Sequence, residues 1–447
     1  MTIGGPKIVM VGGGSYNWGP SLLSDLVQAP EMEGSEVVLL DPDLQAAAEI
    51  RAVAERYAAV FGKTFHLRVT NDEASAFRDA DFVMITISTG GLDAMALDLA
   101  IPEKYGVFHT VGDTAGPGGW ARTLRNVPVM VHLGQQISRY APHAVVLNYT
   151  NPMATLTGAL AESSGLRVVG LCHGVFDNYH MLEKLFGVQE KDLNVRFSGT
   201  NHFFWILDFT VKGQSGYPLL REKLGTRTLD DVLRDLMRDD EQDTLHRNFA
   251  LSSELYTQYG YLPYFGDRHT CEFIPGYITP TTDSLAPFRL VRTTIEQRKE
   301  TRLAARDKAL KLAAGAIPPP ARSRETAVDM MVALSTGKPF IDVVNVPNIG
   351  QVDNLPRRAV VETLGMVDHL GFRPIAAGPL PPFIQPLVAP HCACQLVTLD
   401  AALKGDRELA LQALMLDPLC SHLSHTRIRD LGTDLMAAQR DLLPQFK

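Results

Sequence analysis

Apolar positions in the first part of the chain fall into two alternating patterns. Short runs read as strands: KIVMV (7–11), EVVLLD (36–41), HLRVT (66–70), DFVMITIS (81–88), AVVLNYT (144–150) and RVVGLC (167–172). Between them lie stretches with helical spacing, PSLLSDLVQ and an alanine-rich segment from about Leu44 to Phe61. Apolar runs with little polar alternation belong to strands buried on both faces. Strands alternating with helices predict a parallel sheet covered on both sides.

After about Asn194 the pattern becomes mixed. VRFSGTNHFFWILDFTV predicts two strands or one kinked strand, and 228–260 reads as helical and acidic. Residues 286–316 carry many Arg and Lys at helical spacing, read as one solvated amphipathic helix. IPPPAR (317–322) is a proline break, and the last hundred residues read as mainly helical, with an extended piece around IDVVNVPNIG. The expected organisation is two domains, 1–195 and 196–447.

Composition narrows the classes. The net charge is −8, without the basic excess that phosphate neutralisation requires, which argues against nucleic acid as a partner. No run of about 18 apolar residues stands out, so no membrane span is expected. MTIGGPKIVMVGGG lacks the pattern of a targeting peptide. Five cysteines are an odd count in a long chain, which fits a reducing cytoplasm better than a disulfide framework.

VGGGSYNWGP follows the first strand and opens a helix. Gly12 and Gly14 occupy the first two glycine places of G-x-G-x-x-G, and Asn17 stands in the third, with Ser15 in the same turn. Such a turn lets backbone N–H groups approach a pyrophosphate at a helix N-terminus. Asp41 ends the second strand, where an acid grips a ribose 2′-hydroxyl, so NAD⁺ is favoured over its phosphorylated form. The expected fold class is α/β: a Rossmann-type parallel sheet followed by an α+β, largely helical C-terminal domain.

GDTAGPGGW (112–120) precedes a long helix containing Arg122 and Arg125, and Asp113 is its only acid. The loop either wraps a ligand or turns the chain. LNYTNPM (147–153) places Asn148 and Asn151 at the carboxyl end of a strand, as ligands for sugar hydroxyls or as helix caps. Cys172 ends another strand, and His202 follows in GTNH. A thiolate and an imidazole there suit an open divalent-metal site, but a buried Cys and a lone His are also ordinary core residues. GYLPYFGDRHTCEF (260–273) concentrates Tyr261, Tyr264, Asp267, Arg268, His269 and Glu272, a candidate acid/base loop. HCAC (391–394) reads as core, since no second Cys/His pair lies near it in the sequence.

These motifs together resemble glycoside hydrolase family 4. The resemblance runs nearly the whole chain: VGGGS, GDTAGPGG with RTLRNVP, NYTNP, Cys172, GTNH, NIGQVDNLPRRAVVE (348–362) and ALMLDPL. It implies a lactate/malate dehydrogenase-like fold, bound NAD⁺, and a divalent metal (Mn²⁺, or Co²⁺ or Ni²⁺) held by Cys172 and His202. It also implies a redox route to glycoside hydrolysis, departing from the two-carboxylate pattern. Sugar C3 is oxidised, a base takes the C2 proton, the leaving group is eliminated, water adds, and the hydride returns. The base it implies is Asp267, with Tyr264 as the alternative; His173 is the candidate acid. Asn148, Asn151, Asp113 and Arg268 are candidate substrate ligands.

The segment STGGLDAMALDLAIPEKYG lacks the arginine that phospho-sugar relatives carry there, and Cys-His-Gly-Val resembles members acting on unphosphorylated α-glycosides. Neutral sugars and uronides stay open; Arg268 either holds a uronate or pairs with Glu272. The family resemblance implies a homodimer or homotetramer. The competing readings are a 2-hydroxyacid dehydrogenase of the lactate/malate type and a non-catalytic NAD- or sugar-sensing protein.

Overall fold

The computed structural model describes residues 4–237 and 248–446, so part of the acidic segment read at 228–260 lies outside the described residues. Among the described residues, thirteen strands form one sheet: β1 Lys7–Val11, β2 Glu36–Leu40, β3 His66–Thr70, β4 Phe82–Ile85, β5 Val145–Asn148, β6 Arg167–Gly170, β7 Leu193–Thr200, β8 Phe203–Val211, β9 Gln214–Ser215, β10 Leu262–Pro263, β11 Phe340–Pro347, β12 Val360–Asp368 and β13 Gly371–Pro374. The parallel part runs β3-β2-β1-β4-β5-β6. This is the strand order of a dinucleotide-binding sheet, with its ligand edge at the carboxyl ends.

Side chains along β1 and β2 alternate between two cores. Val9 and Val38 enter one with Val83 and Val146; Ile8, Met10, Val37 and Leu39 enter the other with Met84 and Leu147. Burial on both faces is why these strands read as near-continuous apolar runs. The helix Leu44–Phe61 has the bounds its pattern predicts. The Asp43 side chain accepts from Ala46 N–H, and Gly62 ends the helix at φ +64°. Ala47, Ile50, Ala54 and Tyr57 are fully buried on one face. Truncating Ile50 to alanine would cost about 2–5 kcal/mol.

The sheet continues without a break past residue 195. β11 pairs antiparallel with β6 through Asn345 and Gly170, β12 with β11, and β7 with β12 through Glu362 and Gly199. β7 and β8 form a hairpin, as VRFSGTNHFFWILDFTV suggested. The single extended piece expected in the last hundred residues is three strands, β11 to β13. β11 and β12 join the sheet through β6 and β7, far away in sequence, which local pattern cannot show.

The basic run is also shorter as a helix than expected. Asp283–Phe288 is a 3-10 turn, and the helix is Ile295–Ala313, started by a reciprocal Thr294–Gln297 cap. Only Ala309 and Leu312 of that helix are buried. One correction concerns apolarity. The helix Gln385–Lys404 is long and apolar enough by composition to cross a membrane. Here it packs inside: Val388, Cys392, Leu399 and Ala402 belong to the core, and His391 Nε2 lies 2.7 Å from Phe273 O. HCAC is thus part of a buried helix.

Candidate active site

The carboxyl edge of the parallel sheet gathers most of the sequence candidates. Gly12 lies after β1 at φ +84°, where a Cβ would meet Thr86 O at 2.7 Å; at Gly13 it would meet the Leu39 Cα at 2.6 Å. These glycines let the turn lie against β2 and the residue after β4. Gly14 N–H donates to Asp41 Oδ2 (2.9 Å), and Asp43 N–H donates to Asp41 Oδ1 (2.9 Å). Asp41 is therefore held at the turn, just after β2. Ser15 Oγ accepts from Trp18 N–H, and Asn17 is exposed.

Cys172 follows β6. His202 sits in the two-residue loop of the β7–β8 hairpin, Asn201-His202, with Thr200 paired to Phe203. Its φ of +64° is an uncommon conformation for a side-chain-bearing residue, and it turns the imidazole back to the sheet edge. His202 Nε2 lies 3.3 Å from Cys172 Sγ. Burial, then His269, keeps the imidazole pKa well below the ordinary value, so the ring is neutral and able to act as a ligand. Burial pushes the Cys172 thiol up, with Glu362 adding to it. Such a thiol ionises only if a cation compensates.

Behind the pair, Asn201 Nδ2 donates to Glu362 Oε2 (3.1 Å). Glu362 is 1% exposed, and burial raises its carboxyl to about 7. It ends the NIGQVDNLPRRAVVE motif, which had no assigned role before the fold was known.

The GDTAGPGGW loop folds onto the start of its own helix, Gly116–Tyr140. Cβ atoms at Gly116 and Gly119 would meet His109 Nε2 at 2.7 Å and Thr114 O at 2.3 Å. Its glycines serve this close approach, and Asp113 and Thr114 carry its polar chemistry. Asp417, from ALMLDPL, accepts from Gly116 N–H at the helix start (3.0 Å). Asn151 Nδ2 donates to Asp113 Oδ2 (3.3 Å), and Arg122 Nε donates to Asn151 O (2.9 Å). Burial opposes ionisation of Asp113, but His269, His202 and the Arg122 guanidinium hold it well below the usual carboxylate range. Asp113, His202 and His269 present ligand atoms all within 4.8 Å of one another. The His269 ring lies 4.0 Å from that of His202, and burial takes His269 down to about 4.

Other candidates divide. Tyr264, 5% exposed, stacks on His202 at 5.9 Å and lies so close to Gly174 that a Cβ there would be 3.2 Å from its hydroxyl. Asp267 is engaged elsewhere. Its carboxylate accepts from Leu251 N–H (2.8 Å), Ser252 N–H (3.0 Å) and the Ser252 hydroxyl, at the first turn of the helix Ala250–Tyr259. Asn148 is also internal, accepting from Thr150 N–H (3.0 Å) and donating to Thr157 Oγ1 (3.1 Å). Asn151 is no helix cap, because the following helix starts at Met153 with Pro152 at its N-cap.

Arg268 donates to Val291 O and Thr110 O and to the Thr293 hydroxyl. Glu272 Oε1 accepts from the N–H groups of Thr110, Val111 and Gly112 (2.8, 2.7 and 3.0 Å). His173 is more than half exposed, 3.6 Å from Glu325 Oε1 and 5.9 Å from the Trp18 ring. Thr114, Glu362 and the partnership of His269 with His202 are members of the site that the sequence did not single out.

Two family models cover nearly all of the chain. One described as family 4 glycosyl hydrolase matches residues 7–188, and one described as the family 4 glycosyl hydrolase C-terminal domain matches 197–420. The chain is similar to an alpha-galacturonidase of Bacillus subtilis, 34% identical over 425 residues that cover 92% of this chain and 93% of the relative. An alpha-galactosidase of the same organism is 32% identical over 447 residues, 99% of this chain and all of the relative. In fold, the chain matches a 6-phospho-alpha-glucosidase from gut microorganisms, solved with NAD and Mn²⁺, at a TM-score of 0.80 and 22% identity, covering 99% of this chain and 100% of that one.

Proposed function

This chain belongs to the family 4 glycosyl hydrolases, and on that premise we propose that it hydrolyses unphosphorylated α-glycosides, α-galacturonides first, with bound NAD⁺ and a divalent cation such as Mn²⁺. The observation that carries the reading is Cys172 Sγ 3.3 Å from His202 Nε2, at the carboxyl edge that also holds the glycine turn and Asp41. The donors fit a cation. The imidazole is neutral, and the half-buried thiol needs a positive charge to ionise. The glycine turn fits a pyrophosphate, and Asp41 fits a ribose. When bound, NAD⁺ supplies a reversible hydride acceptor and the cation a Lewis acid for the sugar C2 and C3 oxygens.

The residues of the chain divide the remaining work. Tyr264, stacked on His202, is the base for the C2 proton; Asp267 is assigned to capping the helix Ala250–Tyr259. His173 stands at an exposed position next to Cys172, suited to delivering a proton to a leaving group. Asn151 and Asp113, bonded to each other, face the pair as acceptors and donors for sugar hydroxyls. Arg122, Arg268 and Arg298 all act electrostatically on Asp113. Glu272 acts on Arg268 and Arg298 as well, so three guanidinium groups face two carboxylates, and the remaining positive charge is suited to a uronate.

The test is nitrophenol release from aryl α-galacturonide, galactoside, glucoside, glucuronide and 6-phosphoglucoside, with NAD⁺ and Mn²⁺, then without each. The expected result is fastest release from the galacturonide, dependence on both cofactors, and no accumulation of NADH. Release only from the 6-phosphoglucoside, or equal rates without cofactors, would overturn the proposal. A preference for the galactoside would keep the reaction and reject the uronate pocket.

A further inference from the structure

His202 has two ring nitrogens, and only one of them can face a cation with a lone pair. Its Nε2 lies toward Cys172 Sγ at 3.3 Å. Its Nδ1 lies 3.0 Å from Thr114 Oγ1, and Thr114 Oγ1 lies 2.7 Å from Asp113 Oδ1. Both Thr114 and His202 are buried, 6% and 5% exposed. A threonine hydroxyl carries one proton and can donate it once. A carboxylate can only accept, so the hydroxyl proton goes to Asp113 Oδ1. The Thr114 oxygen then meets His202 Nδ1 with a lone pair, and Nδ1 must carry the ring proton. The lone pair of the imidazole is thereby left on Nε2, on the Cys172 side.

We propose that Thr114 is a positioning residue that sets the tautomer and the angle of His202, through a relay from the Asp113 carboxylate to the Thr114 hydroxyl to His202 Nδ1. Partners on the far nitrogen of a ligating histidine orient the ring and raise its basicity, and losing them weakens metal affinity by roughly 10–100-fold. Here the partner is a hydroxyl placed between histidine and carboxylate. Asp113 is itself anchored, because its other oxygen accepts from Asn151 Nδ2 (3.3 Å). The loop backbone is anchored as well. Glu272 takes the N–H groups of Thr110, Val111 and Gly112, and Arg298 donates to Val111 O (2.7 Å). The hydroxyl is therefore presented by a loop anchored through its backbone and through Asp113.

This inference rests on reading Cys172 and His202 as the cation site, and two measurements separate the two ideas. The first is Mn²⁺ binding to the NAD⁺-loaded protein, followed by the electron paramagnetic resonance of free Mn²⁺, in the parent, T114S, T114V and C172S. The relay predicts that T114V, which keeps the shape and loses the hydroxyl, binds Mn²⁺ at least tenfold more weakly, and that T114S binds within about threefold of the parent. Parent-like binding in T114V overturns the relay and leaves the cation site standing. Undiminished binding in C172S overturns the cation site.

The second measurement needs no metal, and its readout is taken on the parent. The ¹⁵N shifts of His202 in the metal-free parent, identified by their loss in H202N, report which nitrogen is protonated. The relay predicts a proton on Nδ1, and a proton on Nε2 overturns it. A fold defect from losing the threonine would leave the parent's tautomer unmoved, so this readout distinguishes positioning from mere packing.

Discussion

Two acids, one in each half of the chain, each follow a glycine, the half-buried Asp113 after Gly112 and the buried Asp267 after Gly266, and they end with opposite properties. Asp113 lies among His202, His269 and Arg122 and is held well below the carboxylate range against its burial. Asp267, 3% exposed, is raised to about 7 by burial, although Ser252 and Leu251 donate to it. The first faces the Cys172–His202 pair through Thr114. The second closes the first turn of a helix. Residue type and glycine-bearing context are alike in both. The difference lies in what surrounds each carboxylate: two imidazoles and a guanidinium in one case, the N–H groups and hydroxyl of a helix start in the other.

The largest effect that would sharpen this contrast is loss of the cation site itself. C172S should reduce cofactor-dependent glycosidase turnover by about 10³-fold or more, since Lewis-acid stabilisation is worth several kcal/mol. Turnover within tenfold of the parent would remove the centre around which Asp113 is placed. Next comes the choice of base. Y264F should lower kcat by about 10²–10⁴-fold, and D267N should leave kcat within a fewfold of the parent. The reverse order in steady-state kinetics would return the base to Asp267 and break the contrast. D113N should reduce kcat/KM by roughly 10–100-fold while melting close to the parent, because its role is polar positioning.

The smallest effect is on stability. D267N should cost about 1–3 kcal/mol in denaturant unfolding by weakening the helix cap. Its pH dependence has a definite sign. The folded pKa of about 7 lies above the ordinary 3.8, so over that interval the folded state binds the proton and the unfolded state does not. The contribution of Asp267 is full below about pH 4 and is lost as pH rises through 7. The stability gap between parent and D267N should therefore narrow from pH 5 to pH 8. A gap that widens over that range would place a depressed carboxyl there, as at Asp113.

Much of the nucleotide-binding half was legible in the chain. The strand–helix alternation, the helix Leu44–Phe61, the glycine turn and Asp41 could all be placed, since each depends on neighbours within a few dozen residues. The second half was legible only in pieces. The hairpin β7–β8 was one of two readings, but β12 and β13 were not visible, because β12 joins the sheet through the remote β7 and β13 is only four residues long. The helix in the basic run was also drawn too long, since a 3-10 turn and an extended stretch precede Thr294. In the site, Cys172, His202, Asp113 and Asn151 were named from their places at strand ends and in the GDT and TNP motifs, and the fold brings them together. Asn148 was named from its strand end and Asp267 from the family resemblance, and the fold turns both side chains to its own backbone and hydroxyls.

The sequence by itself determined the parallel sheet, its ligand edge and the family, because periodic apolar runs and ordered motifs are local properties that survive without coordinates. Only the tertiary structure decided which polar residues share a site. Thr114 meets His202 across 88 positions, Asn201 meets Glu362 across 161, and Asp267 is captured by a helix start 15 residues before it. Hydrogen bonds and electrostatic fields act over a few ångströms of space, and distance along the chain does not measure that space.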